Sequence, residues 1–428
     1  MYYIRDIIKK KREKKELTEE EIRFFIFSYF RDEILEEQAA ALLTLIYTNG
    51  ITSKEMAYLT NAMAETGEEI ELYKISNKIV DFHPIGGIED KIAIMVMCII
   101  ASLGIPIAKI AGRELGLEDR LSAIPNYPIK TDFNKLQQMI ENTNIGIIAE
   151  PINIAPVEEK LYRLRNCIAC SDDISLITMS IMSQKIAIGA RNIIFDITCG
   201  ENAYVKTYAE AKKMANYLIG IGKNINKNVK CIISSMDEPI GACFGNLLEI
   251  DELIEALCGN MTQDVMKMIE TIGTKMLQII GITNNERECK RLIFNSIENG
   301  QAYQYLCKFL DYQGVEIDLI KNRTKTKCIV PIIANVEGYV KAINVSAIRT
   351  VGIFLNAIKK KREDKLDKGA GIRFCKKVGD KVQNGEILAY VYTNDETKVR
   401  KAINDIGEAY KFSEKKILNK SRILGIIE

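Results

Sequence analysis

The spacing of apolar positions divides the chain into segments of different character. Over roughly the first 65 residues the spacing is helical: Thr18 and the three glutamates after it predict a capping box, and 37–47 predicts a helix buried on most sides. Ser53 is the predicted cap of the next helix. From about residue 77, short β-branched runs alternate with helical stretches, which is typical of a sheet with crossover helices. The predicted strands are 77–81, 105–110, 145–148, 192–197 and 229–234.

Two later segments complete the pattern. Helical spacing returns over 157–190, with a first predicted helix at 157–167 and a second at 174–189 that ends in a glycine C-cap. Beyond about residue 330, the turn sequences at 379–381 and 385–386 separate short apolar runs, which predicts a β-rich lobe. The predicted fold class is therefore α/β, with additional helices and a β-rich C-terminal lobe.

Composition and charge exclude several classes of protein. The chain is 47% hydrophobic and 27% charged, as in ordinary globular proteins, and its net charge of +2 gives no reason to expect nucleic acid as a partner. The basic runs 9–15 and 359–365 contain acids and no aromatic residues, so they also predict no nucleic-acid binding. The longest apolar stretch, 92–100, is too short for a membrane span. With no secretory signal pattern, eleven cysteines indicate reduced thiols and a cytoplasmic location.

The one close cysteine pair, Cys167 and Cys170, does not predict a metal site. Metal binding would need a second pair or nearby histidines, and the chain contains a single histidine. We expect both cysteines to be small, buried apolar residues on a helix, and we expect neither a metal nor a cofactor.

That single histidine, His83, stands just before the double-glycine turn at Gly86 and Gly87. A strand precedes it and a buried helix is predicted after Asp90. A chain that leaves a strand through two glycines and enters a helix points backbone N–H groups at one spot, where an anion or polar ligand can bind. A histidine there can donate a proton or a hydrogen bond near neutral pH. Taken alone, this local pattern also fits a structural histidine at an ordinary strand end.

Several blocks, in order along nearly the whole chain, resemble the pyrimidine-nucleoside phosphorylases, the thymidine phosphorylase family. The turn after His83 resembles the family motif Lys-His-Ser-Thr-Gly-Gly-x-Gly-Asp. The other matching blocks are 7–12, 17–22, 38–42, 46–52, 161–166, 180–187, 234–249 and 377–389. The resemblance implies a glycosyltransferase that cleaves the N-glycosidic bond of a pyrimidine nucleoside, of the uridine or thymidine type, with phosphate as acceptor.

The resemblance also implies how the segments assemble. A small all-α domain should face a large α/β domain with a mixed sheet across a cleft, followed by the β-rich C-terminal lobe. The implied ranges are 1–65 with 157–190 for the α domain, 70–156 with 191–329 for the α/β domain, and 330–428 for the lobe. The apolar faces of the N-terminal helices exceed what one small helical domain can bury, which predicts a homodimer.

Residues for binding the pyrimidine base are mostly present. The resemblance implies that Arg165 contacts one pyrimidine carbonyl, that Ser180 contacts the ring edge, and that His83 contacts the other carbonyl and stabilises the leaving base. Gln184 stands where the family has lysine, so stabilisation of the leaving base should be weaker. The alternative is that Arg165 and Ser180 only cap or bridge helices.

Residues for binding phosphate are mostly absent. The family's lysine and hydroxyl ligands are replaced by Phe82, Pro84, Ala93 and Ala111. Part of the loop after Gly116 is missing, and Glu89 and Glu114 stand at glycine positions. A carboxylate repels a phosphate dianion, so the sequence predicts that the family's phosphate site has been abandoned.

Three functions therefore remain open, all sharing pyrimidine-nucleoside recognition. The first is an enzyme that uses water or another acceptor, with His83, Glu89 and Asp90 as catalytic residues and further candidate bases at Glu114, Glu118 and Asp119. The second is a non-catalytic nucleoside-binding paralogue. The third is conventional phosphorolysis with an anion site rebuilt from Lys91, Arg113 and Arg120.

Some family members also hold a monovalent cation near the turn. By the resemblance Glu249 matches its carboxylate ligand, while Glu89 replaces a glycine there and puts the coordination in doubt. Lys91 is a candidate to pair with these acids in place of a metal.

Overall fold

The computed structural model describes residues 2–68, 70–86, 91–110, 116–129, 132–148, 154–201, 203–322, 326–360, 364–418 and 421–428. Several predicted site residues lie outside these ranges: Gly87, Glu89, Asp90, Ala111, Arg113 and Glu114.

Four helices open the chain, and their caps explain where they begin. They are α1 (Ile4–Arg12), α2 (Glu19–Phe30), α3 (Glu36–Asn49) and α4 (Ser53–Ala64). The capping box at Thr18 is confirmed, since its hydroxyl accepts from the Glu21 N–H and the Glu21 carboxylate accepts from the Thr18 N–H. The prediction for α4 is wrong by one residue, because Thr52 rather than Ser53 is its cap. The prediction that α3 is buried on most sides is also wrong in the single chain, since Tyr47 is exposed.

Two later helices, α9 (Pro156–Cys167) and α10 (Ile174–Ile188), pack against α2, α3 and α4. The predicted glycine C-cap is present, because Gly189 adopts the left-handed conformation with φ 77°. Cys170 is buried, but Cys167 at the end of α9 is exposed, so the prediction for that cysteine is wrong. One hydrophobic cluster continues from these helices into one face of the sheet. Because this cluster is continuous, it does not separate the two proposed domains, and the domain ranges remain a prediction.

A six-stranded mixed sheet forms the centre of the α/β domain, as predicted. Its strands are β1 (Val80–Ile85), β2 (Ile107–Ile110), β3 (Ile145–Ile148), β4 (Asn192–Cys199), β5 (Asn228–Ser235) and β13 (Ile423–Ile427), in the order β13-β5-β4-β1-β2-β3. The first five strands are parallel, and β13, which the sequence did not predict, runs antiparallel at the edge. The predicted first strand, 77–81, is displaced: β1 begins at Val80 and continues through His83, which pairs in register with Phe195.

Helices cover the sheet, and strand alternation sends neighbouring residues of β1 to opposite faces. The helices are α5 (Leu72–Ile75), α6 (Lys91–Ser102), α7 (Leu117–Ala123), α8 (Phe133–Thr143), α11 (Tyr208–Asn224), α12 (Asn246–Leu257), α13 (Gln263–Ile279), α14 (Glu286–Glu298), α15 (Gln301–Tyr312) and α16 (Ile317–Lys321). Phe82 belongs to the cluster formed with α6, α13 and α15, whereas Phe195 and Ile85 belong to the cluster formed with α4, α10 and α11. The His83 ring contacts Phe195, so His83 and Phe82 face different sides of the sheet.

The C-terminal lobe is β-rich, as predicted. Its elements are β6 (Cys243–Phe244), β7 (Cys328–Ile333), β8 (Gly338–Ile343), α17 (Val345–Phe354), β9 (Gly371–Phe374), β10 (Lys381–Val382), β11 (Ile387–Thr393), α18 (Val399–Ala409) and β12 (Tyr410–Ser413). They form a four-stranded sheet, β6-β9-β11-β7, and a three-stranded sheet, β10-β8-β12. Phe244 of β6, which lies within the range predicted for the α/β domain, packs in the core of the lobe. Within the described ranges, no helix combines the length and apolar character needed to cross a membrane.

Candidate active site

His83 lies near the carboxyl end of β1 with an unsatisfied ring nitrogen. Its Nδ1 is buried and has no hydrogen-bond partner among the described residues. Its ring meets Phe195 edge to face, with 5.9 Å between ring centroids. Burial lowers the pKa of His83 well below its ordinary value, and the nearby charges of Lys185 and Lys109 lower it further. His83 is therefore neutral at pH 7 in the ligand-free protein, which favours the hydrogen bond over the proton transfer, the two roles that the sequence left open; its catalytic role stays a prediction.

A buried ion pair joins the strand of His83 to helix α10. The Lys185 ammonium lies 2.7 Å from Oδ2 of Asp81 and donates to Oδ1 at 3.0 Å. Asp81 precedes His83 by two residues on β1, and Lys185 follows Gln184 on α10. Separating the two side chains would leave a buried charge without its partner, which is strongly destabilising. The pair therefore holds α10 and β1 in a fixed relation.

Helices α9 and α10 bring Arg165, Ser180 and Gln184 together around the carboxylate of Glu158. The Ser180 hydroxyl donates to Oε1 of Glu158, and the Gln184 amide donates to Oε2 at 3.5 Å. The Arg165 Nη2 lies 3.8 Å from Oε1 of Glu158. Sequence reasoning missed Glu158, although its position seven residues before Arg165 places both on one face of α9. Ser180 does bridge two helices here, as the alternative interpretation proposed.

Arg165 leaves two buried donors unpaired. Its Nε and Nη1 have no hydrogen-bond partner among the described residues. Burial lowers the pKa of Arg165, although the Glu158 carboxylate opposes that shift. Arg165 helps to line a small pocket, whose other lining residues are Leu43, Leu59, Met63, Leu161, Leu176 and Met179, with Glu158 and Ser180. An apolar pocket with unpaired donors suits a flat ligand that carries acceptors on its edge.

The structure does not place His83 on the lining of this pocket. Gly86 ends β1 in the left-handed conformation, with φ 83°, and leads into the part of the turn outside the described ranges. That part holds Gly87, Glu89 and Asp90. The catalytic roles predicted for Glu89 and Asp90 therefore stay a prediction.

A second cavity lies on the other face of the sheet, at the carboxyl ends of β1, β4 and β5. Phe82, Pro84 and Ala93 line it, three of the residues that by the resemblance stand at positions of the family's phosphate ligands. The cavity also contains the carboxyl of Asp196, whose Oδ1 accepts from Ser234 Oγ at 2.6 Å. Burial raises the pKa of Asp196 to about 6, although the Ser234 hydrogen bond and the charge of Arg422 oppose this shift.

Arg422, just before β13, brings a cation to this second cavity that sequence reasoning missed. Its Nη1 donates to the carbonyl oxygen of Glu238 at 3.1 Å, and its side chain also lines the cavity. Nothing in the local sequence around residue 422 predicts this position, because it follows from the pairing of β13 with β5.

Two of the three cations proposed for a rebuilt anion site, Lys91 and Arg120, have buried acidic partners, and Arg113 lies outside the described ranges. Lys91 donates to Glu252 Oε2 and to the Cys243 carbonyl oxygen, each at 2.6 Å. Arg120 pairs with Glu249, and among the described residues Lys91 pairs with Glu252 rather than with Glu249; Glu89, the other acid suggested for Lys91, lies outside the described ranges.

Two of the remaining acids proposed as bases, Asp119 and Glu118, lie within the described ranges, and Glu114 lies outside them. Asp119 pairs with Lys359 at 2.8 Å, and Glu118 is half-buried on α7. Among the described residues, no three His, Cys, Asp or Glu side chains are grouped to hold a metal ion.

Three family models match successive parts of the chain. The helical bundle domain of a glycosyl transferase family matches residues 5–67, and the α/β domain of that family matches residues 76–303. The pyrimidine nucleoside phosphorylase C-terminal domain matches residues 339–413. Fold and site thus define a glycosyl transferase with a helical bundle and an α/β domain.

Comparison with named relatives defines the family more closely. Pyrimidine-nucleoside phosphorylase from Staphylococcus epidermidis is 33% identical over 408 residues, which cover 94% of this chain and 93% of the relative. The enzyme of the same name from Geobacillus stearothermophilus is 33% identical, covering 91% of this chain and 92% of the relative. Anthranilate phosphoribosyltransferase from Thermus thermophilus has a TM-score of 0.57 over 72% of this chain and 99% of that one; at 15% identity it shows the fold alone. The chain belongs to the pyrimidine-nucleoside phosphorylase family, as the resemblance predicted.

The buried Asp196 carboxyl predicts a characteristic pH dependence. Its folded pKa of about 6 lies above the unfolded value of about 3.9, so its contribution to stability is complete below that lower value and is lost as pH rises through 6. Asp196→Asn should therefore gain up to about 3 kcal/mol over the wild type as pH rises from 4 to 8. Urea denaturation across that range measures the difference.

Asp264→Asn provides a control of opposite sign. Burial favours a higher pKa for Asp264, but Lys377, 3.4 Å away, and hydrogen bonds from Thr262 and Gly241 prevail and lower it. The wild type should gain stability over this second variant as pH rises toward the unfolded value of about 3.9, and the difference should stay nearly constant from pH 4 to 8. Equal slopes for both variants would contradict the assignment of a raised pKa to Asp196.

Proposed function

We propose that this protein binds a pyrimidine nucleoside, of the uridine or thymidine type, with its base at Arg165, Ser180 and Gln184, and acts on the N-glycosidic bond without the family's phosphate site. The acceptor would be water or another small nucleophile. The buried Arg165 guanidinium carries this proposal, because its Nε and Nη1 have no partner among the described residues and Arg165 is one of the residues that line an apolar pocket. A pyrimidine carbonyl would supply the missing acceptor.

The second cavity supports the loss of phosphate. Phe82, Pro84 and Ala93 offer no side-chain donor to an anion there, and the Asp196 carboxyl adds an acidic group. An ionised carboxylate at about 4 Å opposes a dianion by several kcal/mol at an effective dielectric near 20. Backbone N–H groups at the Gly86 turn would recover only part of that loss.

The leaving base would receive weaker help than in relatives that carry lysine at position 184. Gln184 offers a neutral amide, and His83 is neutral, so Arg165 is the cation nearest the proposed base edge. We propose that His83 contacts a base carbonyl, and that Glu89 or Asp90 activates the acceptor. Activation by a carboxylate is the step that hydrolysis would need in place of a bound phosphate nucleophile.

A specific observation favours each alternative. Ser180 and Gln184 both donate to Glu158, so the donors meant for the base are already engaged, as in a protein that binds weakly or does not catalyse. Arg422 places a cation at the second cavity, which is what phosphorolysis with a rebuilt site would require.

Release of free base distinguishes these functions. Purified protein is incubated with uridine or thymidine, with and without phosphate, and uracil or thymine is quantified. We expect base release that does not depend on phosphate. Release only with phosphate would establish conventional phosphorolysis, and Arg422→Ala should then abolish it. Binding without release would establish the non-catalytic function.

Removal of the Arg165 guanidinium tests the base pocket separately from catalysis. Arg165→Ala should weaken uridine binding by about 1–3 kcal/mol in calorimetry, because polar edges of the base would be buried without partners. Arg163→Ala is the matched control: Arg163 lies on the same helix, is exposed and pairs with Glu159. Unchanged affinity in Arg165→Ala would place the base pocket elsewhere.

We further propose a homodimer formed through the N-terminal helices. Large apolar side chains remain exposed there, including Tyr3, Leu35 and Tyr47. Sedimentation at micromolar concentration should give a dimer that Leu35→Glu weakens. Tyr204→Glu, on an equally exposed aromatic residue outside the N-terminal helices, should leave it intact. A wild-type monomer would contradict the proposal.

The thiols support a reducing location. All eleven cysteines are free, and several are deeply buried. We infer that the protein works in the cytoplasm.

A further inference from the structure

Lys91, the first residue of α6, has its ammonium group inside the protein. The side chain is only 1% exposed, and its Nζ contacts the Cys243 carbonyl oxygen and Glu252 Oε2. A lysine in the first turn of a helix opposes the helix dipole, and α6 has no acidic residue in that turn. The partners that stabilise this buried cation therefore come from elsewhere in the chain.

The partners form a shell of oxygen atoms that is already in place. Glu252 accepts from the Ala242 N–H at 2.5 Å and from the Cys243 N–H at 3.2 Å. Gly241 adopts a left-handed conformation, and a Cβ there would collide with the Glu252 carboxylate. The turn at 241–243 thus packs closely around this carboxylate. The Glu252 carboxylate and the Cys243 carbonyl oxygen both accept from the Lys91 ammonium.

A carboxylate and a carbonyl that converge on one point form the kind of shell that an alkali cation accepts in place of water. The residue matched to the family's cation ligand, Glu249, is instead paired with Arg120. The residues present therefore fit a tethered ammonium rather than a bound metal ion.

We propose that the Lys91 ammonium acts as a permanent internal monovalent cation, which fastens the 241–243 turn to the start of α6 and makes the protein independent of K⁺ and Na⁺. A tethered cation is present at the same effective concentration whatever the salt in solution. Lys91 is a positioning residue, because α6 follows the His83 turn and Cys243 begins β6, which pairs with β9 of the C-terminal lobe.

Thermal unfolding of the wild type in KCl, NaCl and choline chloride at equal ionic strength is the first measurement. The melting temperature should be the same in the three salts. A specific rise in KCl or NaCl would overturn the proposal, since it would show a cation bound in addition to Lys91 or in place of it.

Lys91→Ser opens space beside Glu252 and tests the shell directly. Its melting temperature should fall by several degrees in choline chloride, and KCl or NaCl should restore part of the loss. Lys91→Met, which fills the space without charge, should be destabilised and not restored. Lys11→Ser is the matched control, because Lys11 is equally buried and, within the described ranges, donates only to Glu55.

Failure of KCl and NaCl to restore Lys91→Ser, or equal restoration of Lys11→Ser, would overturn the proposal. If Lys91→Ser does not fold in choline chloride, its refolding yield in KCl replaces the melting temperature, with the same expected and contradicting results. These readouts do not involve nucleoside, so they remain valid even if the proposed function is wrong.

Discussion

Charged side chains buried on either side of the His83 turn have acidic or basic partners inside the protein, and the geometry of the site depends on these pairs. Asp81, two residues before His83, pairs with Lys185 of α10, and Lys91, at the start of α6, pairs with Glu252 of α12. A buried charge without a partner is strongly destabilising, so each pair fixes the distance between two elements that are far apart in sequence. Strand β1 is thereby tied to α10, and the start of α6 is tied to α12.

The same pairs determine the electrostatics of the site. The positive charge of Lys185 adds to burial in lowering the pKa of His83, which keeps the imidazole neutral. On the other face of the sheet, Asp196 lines the second cavity together with Phe82, Pro84, Ala93 and Arg422. The two faces thus differ: one offers donors at Arg165 that have no partner among the described residues, and the other offers a buried acid near the cation of Arg422.

Local patterns predicted much of the fold, because apolar spacing and caps depend on neighbours in sequence. Strand 145–148 and helix α6 after the turn appear as predicted. The edge strand β13 was not predicted, because its five residues gain their stability only from pairing with β5. Both bounds of β1 were misplaced, since its pairing with β4 begins at Val80 and carries the strand through Pro84 toward the glycine turn.

The site was predicted only in part, because local patterns do not show contacts between distant parts of the chain. Family spacing identified Arg165, Ser180 and Gln184, which do converge on adjacent helices. It did not identify Glu158 as their common partner. It also did not identify Glu252 as the partner of Lys91, because the contact between Lys91 and Glu252 spans 161 positions of the chain. A charge in the sequence shows that a partner is needed but not where the fold will supply it.

We propose that the protein has replaced external ions with its own side chains and no longer binds phosphate in the family's manner. The decisive experiment is calorimetric titration of phosphate into protein saturated with uridine. We expect no binding at millimolar phosphate and no rise in melting temperature through linkage. Millimolar or tighter affinity would contradict it and would show that a phosphate site exists despite Phe82, Pro84 and Ala93.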